Sequence, residues 1–297
     1  VLCNTRDEMI TEVRREVKDG VDVVKVAGDG DVLTHDDGWH GSLSIEDLRA
    51  IAETTHRLGK KCTIHARSGQ AAADAAEAGF DWVIHASFMN NEHLDTIVKR
   101  QTPINPTLSL IANTIDWGPD LGVPPHVIDH YKKELEAAST GLTKAYKAGI
   151  MMMSGTDSGQ GAVPCGEWHA REMEHLMTYL GMTSMEAIQS GTINAAFSLG
   201  MQAEIGTLEE GKLADILVVD GDPLADISVL QDKARLSVIM KGGEIVDTKT
   251  PLPERTVYSW EKPMLYWRDS RMPTQDFVRE RATNKPAWMA SRPEAAE

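Results

Sequence analysis

The 297-residue chain carries 30 Lys and Arg against 45 Asp and Glu, a formal net charge of −15, with 41% hydrophobic and 25% charged residues. That length suits one large α/β barrel of about 250 residues or two medium domains, and the composition excludes a fibrous or wholly disordered chain. The negative charge argues against nucleic acid as a partner, and no apolar run reaches the roughly 18 residues of a membrane span. Three cysteines far apart, Cys3, Cys62 and Cys165, show no CxxC spacing and fit a reducing cytoplasm.

Apolar Met9, Ile10, Val13 and Val17 fall at helical spacing among charges, which predicts a helix from Thr5 to Asp19 stopped by Gly20. Val21 to Val26 then reads as a buried strand. Ser44 with Asp47 three residues on forms a capping-box pattern, and the helix it opens runs through Leu48, Ile51 and Ala52 to Gly59. Strand Lys61 to Ala66, an Ala-rich helix Gln70 to Ala78 closed by Gly79, strand Trp82 to His85 and helix Asn91 to Arg100 follow. An extended, Pro-interrupted piece is expected near Ile104 to Leu108, then a long helix from about His126 to Ala148, a strand Ile150 to Met153 and a helical block Glu167 to Leu180. Short apolar strands alternating with helices mark parallel βαβ units. From Gly206 the chain changes to Gly-punctuated strands, Leu213 to Val219, Leu236 to Ile239 and Glu244 to Val246, which predicts a small β-domain. The last stretch, Thr250 to Glu297, is Pro-rich and carries Trp260, Trp267 and Trp288 without periodicity. It is expected to be an extended arm packing its aromatics on the domain or on a neighbouring copy, which would support a homo-oligomer; a loosely ordered tail is the alternative.

Four polar residues stand where a βα enzyme places its chemistry, at strand ends facing the barrel mouth: Lys25, His65, His85 and Asp157. Lys25 lies in the apolar run Val-Val-Lys-Val-Ala, where desolvation favours the neutral amine, and a neutral amine can take up carbon dioxide to give an anionic carbamate ligand. His65 and His85 each end a strand, and imidazoles on adjacent parallel strands can converge on one ion. Asp157 follows the strand Met151-Met152-Met153 and could hold a metal and accept a proton from its water. A lone strand histidine is ordinarily a hydrogen-bonded core residue and a buried lysine is ordinarily salt-bridged. The metal reading rests on all four together, one per strand.

The segments Val-Lys-Val, Thr-Ile-His-Ala-Arg-Ser-Gly, Val-Ile-His-Ala and Ser-Gly-Thr-Asp-Ser resemble the amidohydrolase superfamily, in its imidazolonepropionase-like and Xaa-Pro dipeptidase-like branch. The likeness covers roughly residues 1 to 247 and continues through Thr192-Ile193-Asn194-Ala195-Ala196, Ile205-Gly206-Thr207-Leu208, Gly211-Lys212-Leu213-Ala214-Asp215 and Gly221-Asp222-Pro223. It implies a metal-dependent hydrolase that attacks the C–N bond of an amide, dipeptide, urea or carbamate with a metal-activated hydroxide, on a small-molecule substrate. It also implies Lys25 as the carbamylated lysine, His65 and His85 as ligands of one metal, and Asp157 as last-strand ligand and proton acceptor. One or two divalent ions are implied, zinc first, with manganese, cobalt or iron as alternatives.

The family's first-strand His-x-His is absent from this sequence, and the chain opens on Val1. The expectation is therefore an N-terminally truncated copy: an α/β fold, an incomplete (β/α)8 TIM-like barrel holding strands four to eight in residues 1–200. Part of a small β-sandwich domain would fill 201–249 and the arm 250–297. The alternative is an inactive fragment or pseudoenzyme scaffold acting by binding. Loops at the barrel mouth choose substrates, which nominates His35, Asp36, Asp37, Trp39 and His40 after Lys25, and Gln160, Glu167 and Trp168 after Asp157. His169 and Glu172 share a helical face and are expected to orient Asp157 as a pair, with a surface ion pair as the alternative. Asp29 and Asp31 among glycines fail the spacing of a calcium loop and are set aside.

Overall fold

A computed structural model describes residues 1–29, 41–159, 162–248, 250 and 273–290. Helix α1 (Arg6–Lys18) starts at Thr5, whose hydroxyl accepts the Glu8 N–H while the Glu8 carboxylate accepts the Thr5 N–H; its Met9 and Val13 are buried. Strands β1 (Val23–Ala27), β2 (Lys61–Ser68), β3 (Trp82–Phe88) and β4 (Ile104–Asn105) form one parallel sheet in chain order. Helices α2 (Ile45–Arg57), α3 (Gly69–Ala78) and α4 (Asn91–Arg100) cross between successive strands, so each βα unit lands beside the last. Ser44 caps α2 through the Asp47 N–H at 3.2 Å. The apolar faces of β2 and β3 meet the helices in a core where Ile64, Val83, Ile97, Ile104 and Leu142 are all 0% exposed. Each such side chain stabilises the fold by about 1.5–3 kcal/mol. Ala71, Ala72, Ala75 and Ala76 allow α3 to lie close against this sheet.

After β4 come α5 (Leu108–Leu121) and α6 (Pro125–Lys147). The piece near Ile104 to Leu108, expected to be extended, holds strand β4 at Ile104–Asn105, and a 14-residue helix opens at Leu108. The strand expected at Ile150 to Met153 is reduced to one parallel bridge, Ile104 to Met152. Pairing stops there because the Ser154 N–H turns away to Ser190 O at 2.9 Å. Helices α7 (His169–Leu180), α8 (Ser184–Ser190) and α9 (Ile193–Leu199) complete this half of the chain. An antiparallel sheet of β5 (Ile216–Val219), β6 (Leu236–Lys241) and β7 (Glu244–Ile245) follows, in that order.

The described part of the C-terminal arm is not extended. It forms α10 (Gln275–Arg281) and α11 (Ala287–Ala290), because Phe277, Val278, Ala282 and Met289 find an apolar seat on Leu110, Trp117 and Trp168 of the same chain. Trp260 and Trp267 lie outside the described residues. No helix among the described residues is long and apolar enough to cross a membrane.

Candidate metal centre

Alternate residues of a strand face opposite ways. On β2, Cys62, Ile64 and Ala66 enter the core with the helices, so Thr63, His65 and Arg67 face the other side. On β3, Val83 joins the helix side and Ile84 the inner cluster with Trp82 and Met153, so strict alternation would send His85 outward. It does not go there: His85 and Ala86 have φ of 74° and 53°, and this left-handed break turns the imidazole back to meet His65. Both histidines lie within their strands rather than at the last residue, since β2 runs on to Ser68 and β3 to Phe88. Thr107 and Asp157, at φ of 54° and 52°, hold the same unfavourable conformation beside them. Strained backbone of this kind persists where surrounding structure enforces it, often at functional sites.

The structure brings the four nominated residues together. His65 Nδ1 lies 2.9 Å from His85 Nε2, with ring centroids 4.6 Å apart and nearly perpendicular. Asp157 Oδ2 lies 4.0 Å from His85 Nε2, and Asp157 Oδ1 lies 3.8 Å from Lys25 Nζ. Lys25 departs from expectation in one respect: its side chain is 53% exposed, not desolvated. The apolar neighbours in Val-Val-Lys-Val-Ala do not enclose it, because β1 is the edge strand of the sheet and the position of Lys25 looks out from it.

Both imidazoles are held by neighbours. Thr107 Oγ1 meets His85 Nδ1 and reaches Pro106 O at 2.7 Å, so the hydroxyl fixes the place of the ring and not its tautomer. On His65, Nε2 lies 3.2 Å from Asp29 Oδ1, a contact without hydrogen-bond alignment. Burial holds the His85 pKa well below the usual histidine range, helped by the positive charge of Arg67, so the ring is neutral. His65 Nδ1 and His85 Nε2, 2.9 Å apart, share a hydrogen bond when one of them carries a hydrogen, and two imidazoles with a carboxylate are a donor set that suits zinc and its neighbours.

Several contributors were not nominated from the sequence. Asp29, 6% exposed, is held by the Ser68 N–H at 2.7 Å and orients His65. Thr107 orients His85. Arg67 pairs with Glu134 at 2.5 Å in the interior, where Ser87 Oγ donates to the same carboxylate oxygen at 2.7 Å. The Asp29 in Ala-Gly-Asp-Gly was the one available signal, a carboxylate just past the strand that carries Lys25.

Other nominations fare differently. His35, Asp36, Asp37, Trp39, His40 and Gln160 lie outside the described residues. Trp168 is not a mouth residue: it is 0% exposed, stacks on Trp117 at 4.5 Å and donates to Pro273 O, because the arm covers it. Glu167 accepts from Lys233 at 2.7 Å and from the Gln275 N–H at 3.2 Å. His169 and Glu172 turn to different partners. His169 meets Thr156 Oγ1 at 3.3 Å and accepts the Gly166 N–H, one residue from Asp157 in the first case. Glu172 is buried and accepts the Leu108 and Ser109 N–H groups at 2.9 and 2.7 Å. A cavity of about 550 Å³ lies beyond Thr156 and His169, against Leu217, Leu236 and Ile239 of the antiparallel sheet; its lining includes none of Lys25, His65, His85 and Asp157.

A parallel α/β sheet with two imidazoles, a carboxylate and a lysine gathered over its strands defines a wall of the α/β barrel class. The chain belongs to the amidohydrolase family, whose sequence pattern matches residues 4–246. Ochratoxinase of Aspergillus niger is 28% identical over 245 residues, covering 80% of this chain and 49% of that protein. A putative prolidase from Bifidobacterium longum superposes with a TM-score of 0.75 at 28% identity, covering 91% of this chain and 65% of the other. A Xaa-Pro dipeptidase with methionine bound in its active site gives 0.71 at 30% identity, covering 82% and 59%. The chain thus spans about half the length of the curated ochratoxinase it matches.

Proposed function

We propose that this chain carries the metal-binding wall of a hydrolase acting on C–N bonds in small amide-like molecules, an amide, dipeptide, urea or carbamate. The observation that carries the reading is the pair of imidazole nitrogens, His65 Nδ1 and His85 Nε2, held 2.9 Å apart beside the Asp157 carboxylate. His65 Nδ1, His85 Nε2 and Asp157 would hold the ion, zinc first, with manganese, cobalt or iron as alternatives. A divalent ion there supplies Lewis acidity and makes water more acidic near neutral pH. The protein's own part is positional. Asp29 and Thr107 hold the two rings in place. Asp157 takes the proton of the attacking water and returns it to the departing nitrogen, so that one water is added across the C–N bond. Lys25 Nζ lies 3.8 Å from Asp157 Oδ1. After its neutral amine takes up carbon dioxide at Nζ with loss of one proton, as the family resemblance implies, Lys25 would offer an anionic oxygen to a second ion. The names of the relatives, ochratoxinase and prolidase, support an amide-type substrate.

The test is elemental analysis of the purified chain beside its His65→Ala and His85→Ala variants, with circular dichroism as the check on folding. Loss of one equivalent of transition metal from each variant is expected, and a screen over amides, dipeptides, ureas and carbamates should show turnover that falls with the metal. A wild type that folds fully, grown with added metal, yet holds no more ion than the variants overturns the reading.

A further inference from the structure

A second group of ligand-type side chains sits at the other end of the same strands. His56 in the last turn of α2, Cys62 near the start of β2 and Asp81 just before β3 place one nitrogen, one sulfur and one oxygen within 4.8 Å of one another. Three residues of strand separate Cys62 from His65, about 10 Å at 3.3 Å per residue, and Cys62 faces the helix layer whereas His65 faces away from it. We propose that His56, Cys62 and Asp81 form a separate binding site for a zinc-class divalent ion, which pins α2 to the N-terminal ends of β2 and β3. This site is independent of the hydrolase reading and survives its failure.

The geometry is close to what such an ion needs. Bond lengths of about 2.0–2.1 Å to nitrogen or oxygen and 2.3 Å to sulfur, at tetrahedral angles, put ligand atoms about 3.3–3.6 Å apart. His56 Nε2 lies 2.9 Å from Asp81 Oδ2 and 3.9 Å from Cys62 Sγ, so small side-chain rotations reach the required spacing. Asp81 is already anchored: its Oδ2 accepts the Cys62 N–H at 2.8 Å, and its own N–H donates to Cys62 O at 3.1 Å. Cys62 is buried, Asp81 has a side chain 20% exposed and His56 one 42% exposed, so an ion enters from the His56 side and keeps one open position for water. Burial pushes the Cys62 thiol up to about 12, so without an ion the sulfur is a neutral thiol, and its proton leaves to solvent as the metal–sulfur bond forms. The combination of thiolate, imidazole and carboxylate selects zinc or cobalt over magnesium or calcium, which take oxygen alone. The plainer account, His56 hydrogen-bonded to Asp81 at 2.9 Å with the Cys62 sulfur in hydrogen-bond reach of the same nitrogen at 3.9 Å, predicts no sulfur ligation when metal is added, and that difference separates the two.

Cobalt(II) titration of the metal-free full chain tests this, because thiolate–cobalt charge transfer reports sulfur ligation directly. The titration is run on a His65→Ala/His85→Ala background, which removes the other centre, with Cys3→Ser and Cys165→Ser removing the other thiols. One cobalt per chain with a charge-transfer band, displaced by zinc, is expected. Cys62→Ala should abolish the band. His56→Ala, at an exposed position that leaves the core intact, should weaken binding at least 10-fold, which keeps the test informative if the Cys62 variant fails to fold. No band at saturating cobalt, or a band of unchanged affinity in His56→Ala, overturns the proposal.

Discussion

Thr107 Oγ1 meets both His85 Nδ1 and, at 2.7 Å, Pro106 O, and this small contact sets the place of the His85 ring. If His85 is a ligand, Thr107 acts on the ion through it. Thr107→Val keeps the β-branched shape in a left-handed position but leaves His85 Nδ1 without its hydrogen-bond partner. Ion affinity, measured by competition with a chelator, should fall about 10- to 100-fold, the usual cost of losing such a partner. Thr107→Ser, which retains the hydroxyl, should restore most of it; equal loss in both variants would show that packing, not the hydrogen bond, matters there. Lys25, His65, His85 and Asp157 were legible in the sequence because each interrupts or follows an apolar strand run, a local signal. Thr107 and Asp29 were not, because neither departs from what a loop contains. Their importance comes from where the chain folds back: Thr107 meets a histidine 22 positions earlier and Asp29 receives an N–H from 39 positions later.

Among the elements, α5 shows why part of the fold escaped detection. Its N-cap, Thr107, makes no side-chain capping bond and Pro119 stands inside its last turn, so although Gly122 closes the end the start sign is missing and the pattern is interrupted. The cap comes from α7 instead: Glu172 accepts the Leu108 and Ser109 N–H groups across 64 and 63 residues. Burial raises the Glu172 carboxyl to about 7 from its usual 4.5, against the opposing pull of the hydrogen bonds it accepts from Ser109 and Leu108. A carboxyl whose folded pKa exceeds its unfolded one stabilises the fold most below the unfolded value. That contribution, on the order of 3 kcal/mol, should drain away as pH rises from about 4.5 to about 7 and be gone above. Urea denaturation across that window should show the decline, and Glu172→Gln should flatten it. A stability curve with the same slope in the variant would assign the dependence to other groups. The regular βα units were readable because strand, helix and cap signals all sit within a few residues of one another; α5 depends on a partner far along the chain.

At the scale of the molecule, the arm joins parts that the sequence alone presents as separate. Residues 273–290 run across α5, the start of α7 and the segment between β5 and β6. Trp168 and Trp117 donate to Pro273 O and Asn284 O, Thr283 grips Asp120 at 2.8 Å, and Gln275 and Trp288 both bond to Gln231. Gln231 in turn donates to Glu174 of α7 at 2.8 Å, which closes the circuit between the barrel wall and the β-unit. Arg171 lies over Trp117 at 4.3 Å within the same cluster, so two aromatic rings and a cation share the cover that the arm provides. The aromatic-rich tail thus serves its own chain over these residues, where an inter-subunit role had been one expectation. Ending the chain after residue 272 removes the buried Val278 and Met289 and uncovers Trp117 and Trp168. The loss should be roughly 3–6 kcal/mol from those two side chains at 1.5–3 kcal/mol each. Tryptophan emission should move to the red as the two indoles meet water, and the denaturation midpoint should fall with it. Val278→Asp, which places a charge in the same seat without shortening the chain, should reproduce both effects; if emission and midpoint stay at wild-type values in both variants, the arm does not hold these parts together in solution.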